Sequence, residues 1–334
     1  MSSEVPPSSA VPGTDPAPRT PPPAPRRVAV TGAGGLIGGA LAGALRAEGR
    51  EVVRLVRREP READEAYWDP SGREHERNVA ALAGCDAVVH MAGAGVADRR
   101  WTAAYKRELR DSRVLGTAAV AAAIAAQETP PRVFVCGSAI GYYGDTGDRA
   151  VDEDAPPGSD FLARLCQEWE AAAAPAAEAG VRTVFARTGL VVAASGGAWG
   201  PLFRIFRAGI GGRIGSGRQY WSAISLDDHL AALTFLLDMD ARPDGAEPLS
   251  GPVNLTGPEP ATNREVTRVM GRALRRPTVF AVPGFVLRVV LGEFAGDVLG
   301  SQRVLPTRLL NAGFTFAHPT VTDAVQAALA GGRP

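Results

Sequence analysis

The chain has 334 residues, 45% hydrophobic and 22% charged, with 36 basic side chains balancing 36 acidic ones. That size and balance suit one large or two modest folded domains; they exclude wholesale disorder, a membrane-spanning protein and a global field drawing the molecule to nucleic acid or an anionic membrane. Three scattered cysteines (Cys85, Cys136, Cys166) and four histidines without ligand spacing match neither a disulfide framework nor a metal site, so no metal and a reducing cytoplasm are expected.

Residues 1–26 contain nine prolines and no apolar period, which predicts a disordered tail without the marks of a signal or transit peptide. Order begins at Arg27. Val28-Ala29-Val30-Thr31 reads as a strand, the stretch from Gly32 to Gly38 as a glycine turn, and the alanine/leucine run to about Glu48 as a helix. Further strands are predicted at Glu51–Val56, Asp86–His90, Arg132–Cys136 and Val181–Ala186. Helices are predicted at Thr102–Ala126 and Asp160–Ala179, where apolar residues recur at three- and four-residue spacing. This alternation predicts an α/β fold, a doubly wound parallel sheet with crossover helices on both faces.

Beyond Thr188, glycines and prolines break the rhythm. A helix is predicted at Asp227–Leu237, a strand at Val253–Leu255, and helices at Asn263–Leu274, Phe285–Leu291 and Thr320–Leu329. The expected organisation is a dinucleotide-binding unit over residues 27–187 plus about 224–257, and a smaller substrate-side domain over 188–223 plus 258–330.

Gly32, Gly35 and Gly38 sit at three-residue spacing between the first strand and its helix, with Leu36 and Ile37 in the same candidate cofactor-binding turn. Glycine is needed where the backbone turns with positive φ and must approach a pyrophosphate, and a helix N-terminus offers free N–H groups to it. The second strand ends in Arg57-Arg58, about 25 residues past Gly32, where a Rossmann fold meets the adenosine ribose. Two guanidinium groups suit a 2′-phosphate and suit a bare ribose poorly, so NADP(H) is expected over NAD(H). After the third strand, the small residues of Met91-Ala92-Gly93 would let the adenine-ribose edge lie against the chain.

The sequence resembles the extended short-chain dehydrogenase/reductase superfamily and, within it, the atypical epimerase family (the nucleoside-diphosphate-sugar epimerase branch) with its C-terminal domain of unknown function. The resemblance spans about residues 27–330. It rests on the Thr31–Gly38 turn, Trp68-Asp69-Pro70, the Trp101 to Arg113 helix, Gly141-Tyr142-Tyr143-Gly144-Asp145 and Asp160-Phe161-Leu162 with Trp169-Glu170. Arg187–Val192, Gly209–Gly217 and Gly300–Pro306 extend it. It implies an NADP site through the glycine turn, Arg57, Met91-Ala92, Glu108, Arg113 and the region of Val191. Relatives usually carry Trp and His where this chain has Ala223 and Ser225.

Ordinary members of the superfamily use Tyr-x-x-x-Lys on one helical face, with the lysine lowering the tyrosine pKa. The single lysine here, Lys106, has Thr102 four residues before it. In the family register Leu162 stands at the tyrosine position, Cys166 at the lysine position and Ala139 at the serine position, beside Ser138. Two explanations stay open. Another proton donor is used, with Ser138, Tyr142 and Tyr143 the candidates at the carboxyl end of the fourth strand and Arg187 their cationic neighbour. Alternatively, the protein is an NADPH-binding sensor without redox turnover. On the first, the expected function is NADP(H)-dependent oxidoreductase or epimerase chemistry on a small hydroxyl or carbonyl compound, sugar nucleotides included. The expected partner is a small-molecule substrate, with no nucleic acid and no membrane. Cys166 is expected to be a buried apolar filler, and His229 a surface or capping residue.

Overall fold

The structure, a computed structural model, describes residues 26–240 and 245–331; the segment read as a disordered tail lies outside them apart from Arg26. Strand β1 (Arg27–Thr31) leads through the glycine turn into α1 (Leu36–Ala47), then β2 (Glu51–Val56), β3 (Glu65–Tyr67), α2 (His75–Ala81), β4 (Ala87–His90), α3 (Ala103–Ala125) and β5 (Val133–Ala139). Next come β6 (Ala150–Val151), α4 (Phe161–Ala171), α5 (Ala174–Glu178) and β7 (Arg182–Thr188). One further strand far along the chain, Gly251–Leu255, completes a seven-stranded sheet by pairing in parallel with β7. From that strand inward and outward again the order runs β7, β5, β4, β1, β2, β3, and every pairing is parallel.

Both faces of the sheet are covered, so its strands are continuous apolar runs. Val28 and Val30 point into one core with Leu41 and Leu45 of α1, while Ala29 joins the opposite core with Val120 and Ile124 of α3. Chain direction from β1 goes outward both ways: β2 and β3 lie on one side, β4, β5 and β7 on the other. Such a reversal opens a crevice at the carboxyl ends of β1 and β4.

Several features differ from the sequence reading, among them a strand, a helix and a histidine. The edge strand β3 was not expected; its three residues are too short a run to show a period. The helix expected over Asp160–Ala179 is two helices, because Pro175 in the first turn of α5 cannot continue the hydrogen-bond ladder of α4. His229 is wholly buried, not a surface residue.

The remaining chain builds a second lobe. Strand β8 (Leu190–Val192) and α6 (Trp199–Arg207) precede β9 (Gly212–Ile214), β10 (Tyr220–Trp221) and β11 (Ala223–Ser225). Helix α7 (Leu226–Asp238) returns to the main sheet, whose last strand is β12 (Gly251–Leu255). After it come β13 (Ala261–Thr262), α8 (Asn263–Leu274), β14 (Phe280–Val282), α9 (Gly284–Leu291), α10 (Ala295–Leu299), β15 (Arg303–Val304), α11 (Thr307–Asn311) and α12 (Val321–Gly331). Trp199, Phe203 and Phe206 of α6 pack with Val266 and Met270 of α8 and Val325 of α12 into this lobe's own core. Helix α8 starts with a reciprocal cap, Thr262 and Glu265 each bonding the other's backbone N–H.

Ser222 ties the second lobe to the returning chain. Its buried hydroxyl donates to the Gln302 carbonyl at 2.8 Å and accepts from the Val304 N–H at 2.9 Å. Ser222→Ala leaves that N–H without an acceptor in the core, and urea unfolding should show a loss of about 1–3 kcal/mol.

Candidate functional site

At the crevice the backbone is held by sterics that admit only glycine. Gly32 has φ +70°, and a Cβ there would lie 2.9 Å from the Met91 carbonyl carbon; a Cβ on Gly38 would lie 2.4 Å from the Gly32 oxygen. The turn closes with the Gly35 N–H donating to Gly32 O at 2.9 Å. Gly35 is also the N-cap of α1 and brings no side chain to the first-turn amides, so these stay available to an anion.

Opposite the turn, the Thr31 hydroxyl organises the end of β4. It accepts from the N–H groups of Met91 (3.0 Å) and Ala92 (3.2 Å) and lies 2.8 Å from His90 Nδ1. With both lone pairs used, the hydroxyl proton goes to Nδ1, so His90 is neutral with its proton on Nε2. Burial lowers the His90 pKa to about 4. The Trp68 ring meets the imidazole edge-on at 5.6 Å, which gives the Trp68-Asp69-Pro70 motif its place under the crevice.

A cleft of about 1070 Å³ follows from this corner. It gathers Gly32, Gly35, Arg57, Arg58, Met91, Ala92, Gly93 and Glu108 from the sequence-predicted set. Leu36, Ile37, Gly38, Arg113 and Val191 do not line it. Gly38 lies beneath the turn, and Val191 sits on β8, paired with β11 away from the cleft. Arg113 stands behind Gly93, its Nη1 donating to the Leu109 carbonyl and its guanidinium 5.1 Å from the Trp169 ring centroid. Burial lowers its pKa.

The two arginines after β2 are not equivalent. Arg58 forks onto Glu65 of β3 at 2.8 and 2.7 Å, and Glu65, also bonded by the Arg61 N–H, is held at about 2. Arg57 is exposed on the cleft wall and has no ion pair or hydrogen bond from its side chain among the described residues. Glu108, expected to bind, is paired with Arg99 at 3.2 Å.

The hydroxyls considered for catalysis meet in a buried network around Arg187. Arg187 donates from Nε and Nη2 to the two Glu170 oxygens at 2.8 and 2.9 Å, and from Nη1 to the Tyr143 oxygen at 3.0 Å. Ser138 donates to Glu170 at 2.6 Å, and Tyr143 donates to Asn254 Oδ1 of β12 at 2.8 Å. Burial works against the Arg187 charge, but the Glu170 bonds outweigh it and raise its pKa. For Tyr143 burial wins over the guanidinium and pushes the phenol up to about 12. Among the described residues the Ser138 hydroxyl thus donates to Glu170 and the Tyr143 hydroxyl to Asn254. Tyr142 differs. Its half-buried ring lies 3.4 Å under the Arg187 guanidinium, and its hydroxyl has no hydrogen bond among the described residues. Sequence reasoning had Arg187 but missed Asn254, which sits unmarked within an apolar strand. Cys166 is buried, its thiol pushed up to about 12.

A smaller cavity of about 280 Å³ opens beside this network, with Trp101, Asp160, Phe161, Leu162, Asp297 and Gln302 among its walls. The surrounding protein and the Asp160 charge push Asp297 up to about 6. Among the described residues no group of side chains could hold a metal ion, and no helix is long and apolar enough to cross a membrane.

The profile of the NAD dependent epimerase/dehydratase family matches residues 28–247. The chain belongs to this family. A second profile, a domain of unknown function (DUF1731), matches residues 282–328. An epimerase family protein of Mycobacterium leprae is 46% identical over 299 residues, 89% of this chain and 94% of its own. The crystal structure of human epimerase family protein SDR39U1 with NADPH superposes with a TM-score of 0.82 at 33% identity, covering 90% of this chain and 98% of that one. A UDP-glucuronic acid 4-epimerase from Bacillus cereus, at 15% identity and TM-score 0.71 over 90% of this chain and 97% of its own, shares the fold alone.

In this epimerase-family chain His90 and His229 are both buried, and burial lowers both to about 4. An unfolded histidine titrates near 6.5, so between about pH 6.5 and 4 the unfolded chain binds protons that the folded one refuses. Stability present above that window is lost as pH falls through it. Thermal melts should show a lower Tm at pH 5 than at pH 7, with the drop reduced in His229→Gln.

Proposed function

We propose that this family member binds NADP(H) in the large cleft and uses it in redox chemistry on a small hydroxyl or carbonyl compound held in the neighbouring cavity. The observation that carries the cofactor reading is the contrast between Arg57 and Arg58. Glu65, the carboxylate that would suit a bare ribose, is consumed by Arg58, while Arg57 projects unpaired into the cleft and can fork onto a 2′-phosphate. The glycines at 32, 35 and 38 let the turn fold tightly against β4 and the start of α1, where a Cβ would strike backbone, and Gly32 and Gly35 line the cleft beside the open first-turn amides that suit a pyrophosphate. NADPH bound to the human relative supports the same reading. In this reading residues 27–187 with about 224–257 hold the cofactor, and 188–223 with 258–330 shape the substrate side. The three free, buried cysteines fit a reducing cytoplasm.

Bound in the cleft, the nicotinamide supplies or accepts the hydride. The proton must come from this chain. With Ser138 and Tyr143 bonded to Glu170 and Asn254, the groups left to carry it are Tyr142, whose ring lies under Arg187, and Asp297, a carboxyl at the cavity wall whose pKa is raised above the usual carboxylate range. The committed hydroxyls also favour a second reading, an NADPH-binding sensor without turnover. Single-turnover bleaching of bound NADPH against a library of carbonyl compounds separates the two. Oxidation is expected, and tight binding without any oxidation overturns the enzyme reading. Given turnover, Tyr142→Phe or Asp297→Asn should slow it about 100-fold at the residue that moves the proton. The other substitution should leave the rate within a few fold.

The cofactor reading has its own test. NADPH should bind at least tenfold more tightly than NADH in paired titrations at fixed salt, a difference of about 1.4 kcal/mol that one charge-assisted fork supplies. Arg57→Asp should erase or invert the preference. Arg58→Asp should keep it, because that guanidinium serves Glu65. Equal affinity for both nucleotides in the unaltered protein would overturn the assignment.

A further inference from the structure

The zero net charge hides a segregation of charge. The stretches 199–218 and 264–291 contain ten arginines and one acidic residue, Glu265, so the rest of the chain carries 26 basic and 35 acidic groups. Glu265 is itself spent in the cap of α8. None of the ten arginines closes an ion pair with a carboxylate among the described residues; Arg276 Nε donates to Arg207 O and Arg264 Nη2 to Ser216 O, both backbone carbonyls, and Arg207 lies over the Phe203 ring. The arginines therefore share one connected region. Helix α6 packs on α8, and β9 pairs with β14.

The same region holds most of the exposed apolar surface. Eight of the ten large hydrophobic side chains exposed among the described residues lie between Ile205 and Val290. Val279 is 81% exposed and is followed by exposed Phe280, a few residues past Arg275 and Arg276. Helix α9 is apolar apart from Arg288, yet has no buried residue; Phe285, Val286, Val289 and Val290 are all exposed and recur at the spacing of one helical face. A contiguous apolar surface of this kind marks an interaction site.

We propose that this lobe docks on an anionic phospholipid surface, with α9 and the Val279-Phe280 strand end seated at the headgroup boundary and the arginines on the lipid phosphates. Charge and apolar surface select this occupant together. A second copy related by a two-fold axis would bring arginine against arginine. A nucleic acid would satisfy the arginines and leave the α9 face uncovered. An anionic bilayer satisfies both, because apolar side chains enter the interface while guanidinium groups bind phosphate. In this proposal the local charge governs docking, because screening confines electrostatics to about a Debye length, whereas the expectation of no membrane partner rested on the global balance.

The test is co-sedimentation of the full chain with vesicles of phosphatidylcholine alone and of phosphatidylcholine with about a third phosphatidylglycerol. Binding to the anionic vesicles is expected to be at least tenfold stronger and to weaken as salt is raised. Arg272→Glu with Arg275→Glu, and separately Phe285→Asp with Val289→Asp, should each reduce binding about tenfold or more without lowering Tm, since all four side chains are exposed. No sedimentation with either vesicle overturns the proposal. So does binding that both double variants leave unchanged, preferential capture by duplex DNA or polyglutamate, or a dimer that the Phe285/Val289 variant splits while vesicles bind nothing.

Discussion

One hydroxyl, on Thr31, is where the two halves of the sheet are made to agree. It lies at the end of the central strand β1, accepts the backbone N–H groups of Met91 and Ala92, and fixes the tautomer of His90 on the neighbouring strand. That single oxygen sets how closely the Met91 carbonyl approaches Gly32, and thereby why position 32 admits no Cβ. The Met91-Ala92 wall of the cleft takes its position from it. The cost is a histidine kept neutral by burial beneath Trp68.

A second constraint organises the far end of β5. Leu162 lines the smaller cavity there and Cys166 is buried near Arg113 and Glu170, while the charge is concentrated in the Arg187–Glu170 pair. A buried ion pair is stable only when its remaining donors and acceptors are satisfied, and Ser138, Tyr143 and Asn254 do that here. Two hydroxyls and an amide at the end of the sheet thus serve the pair's solvation. The arrangement also explains why Tyr143 stays protonated beside a guanidinium: it is enclosed, and its own proton is in use.

Legibility in the sequence followed the strength of the local signal. β1, the glycine turn and α1 could be read directly, because a buried parallel strand and a positive-φ turn each demand a narrow choice of residues. The arginines after β2 were legible as a pair and illegible as individuals. What separates Arg57 from Arg58 is Glu65, on a three-residue strand with no period of its own, so the distinction exists only once β3 pairs with β2. Asn254 was hidden for a similar reason, being a polar residue in an apolar strand whose partner lies 111 positions away. His229 was misread as a surface group because a helix period says which side faces inward but not that both sides are covered.

The last strand of the main sheet reaches β7 only after the chain has made an excursion of roughly sixty residues through the second lobe, a long loop to close. During synthesis the edge of β7 therefore stands unpaired while residues 189–250 emerge, and the sheet cannot finish before them. The same delay leaves Asn254 absent from Tyr143 and the Arg187 pair incompletely solvated. Assembly of the network and closure of the sheet become one late event, which links the order of folding to the readiness of the site.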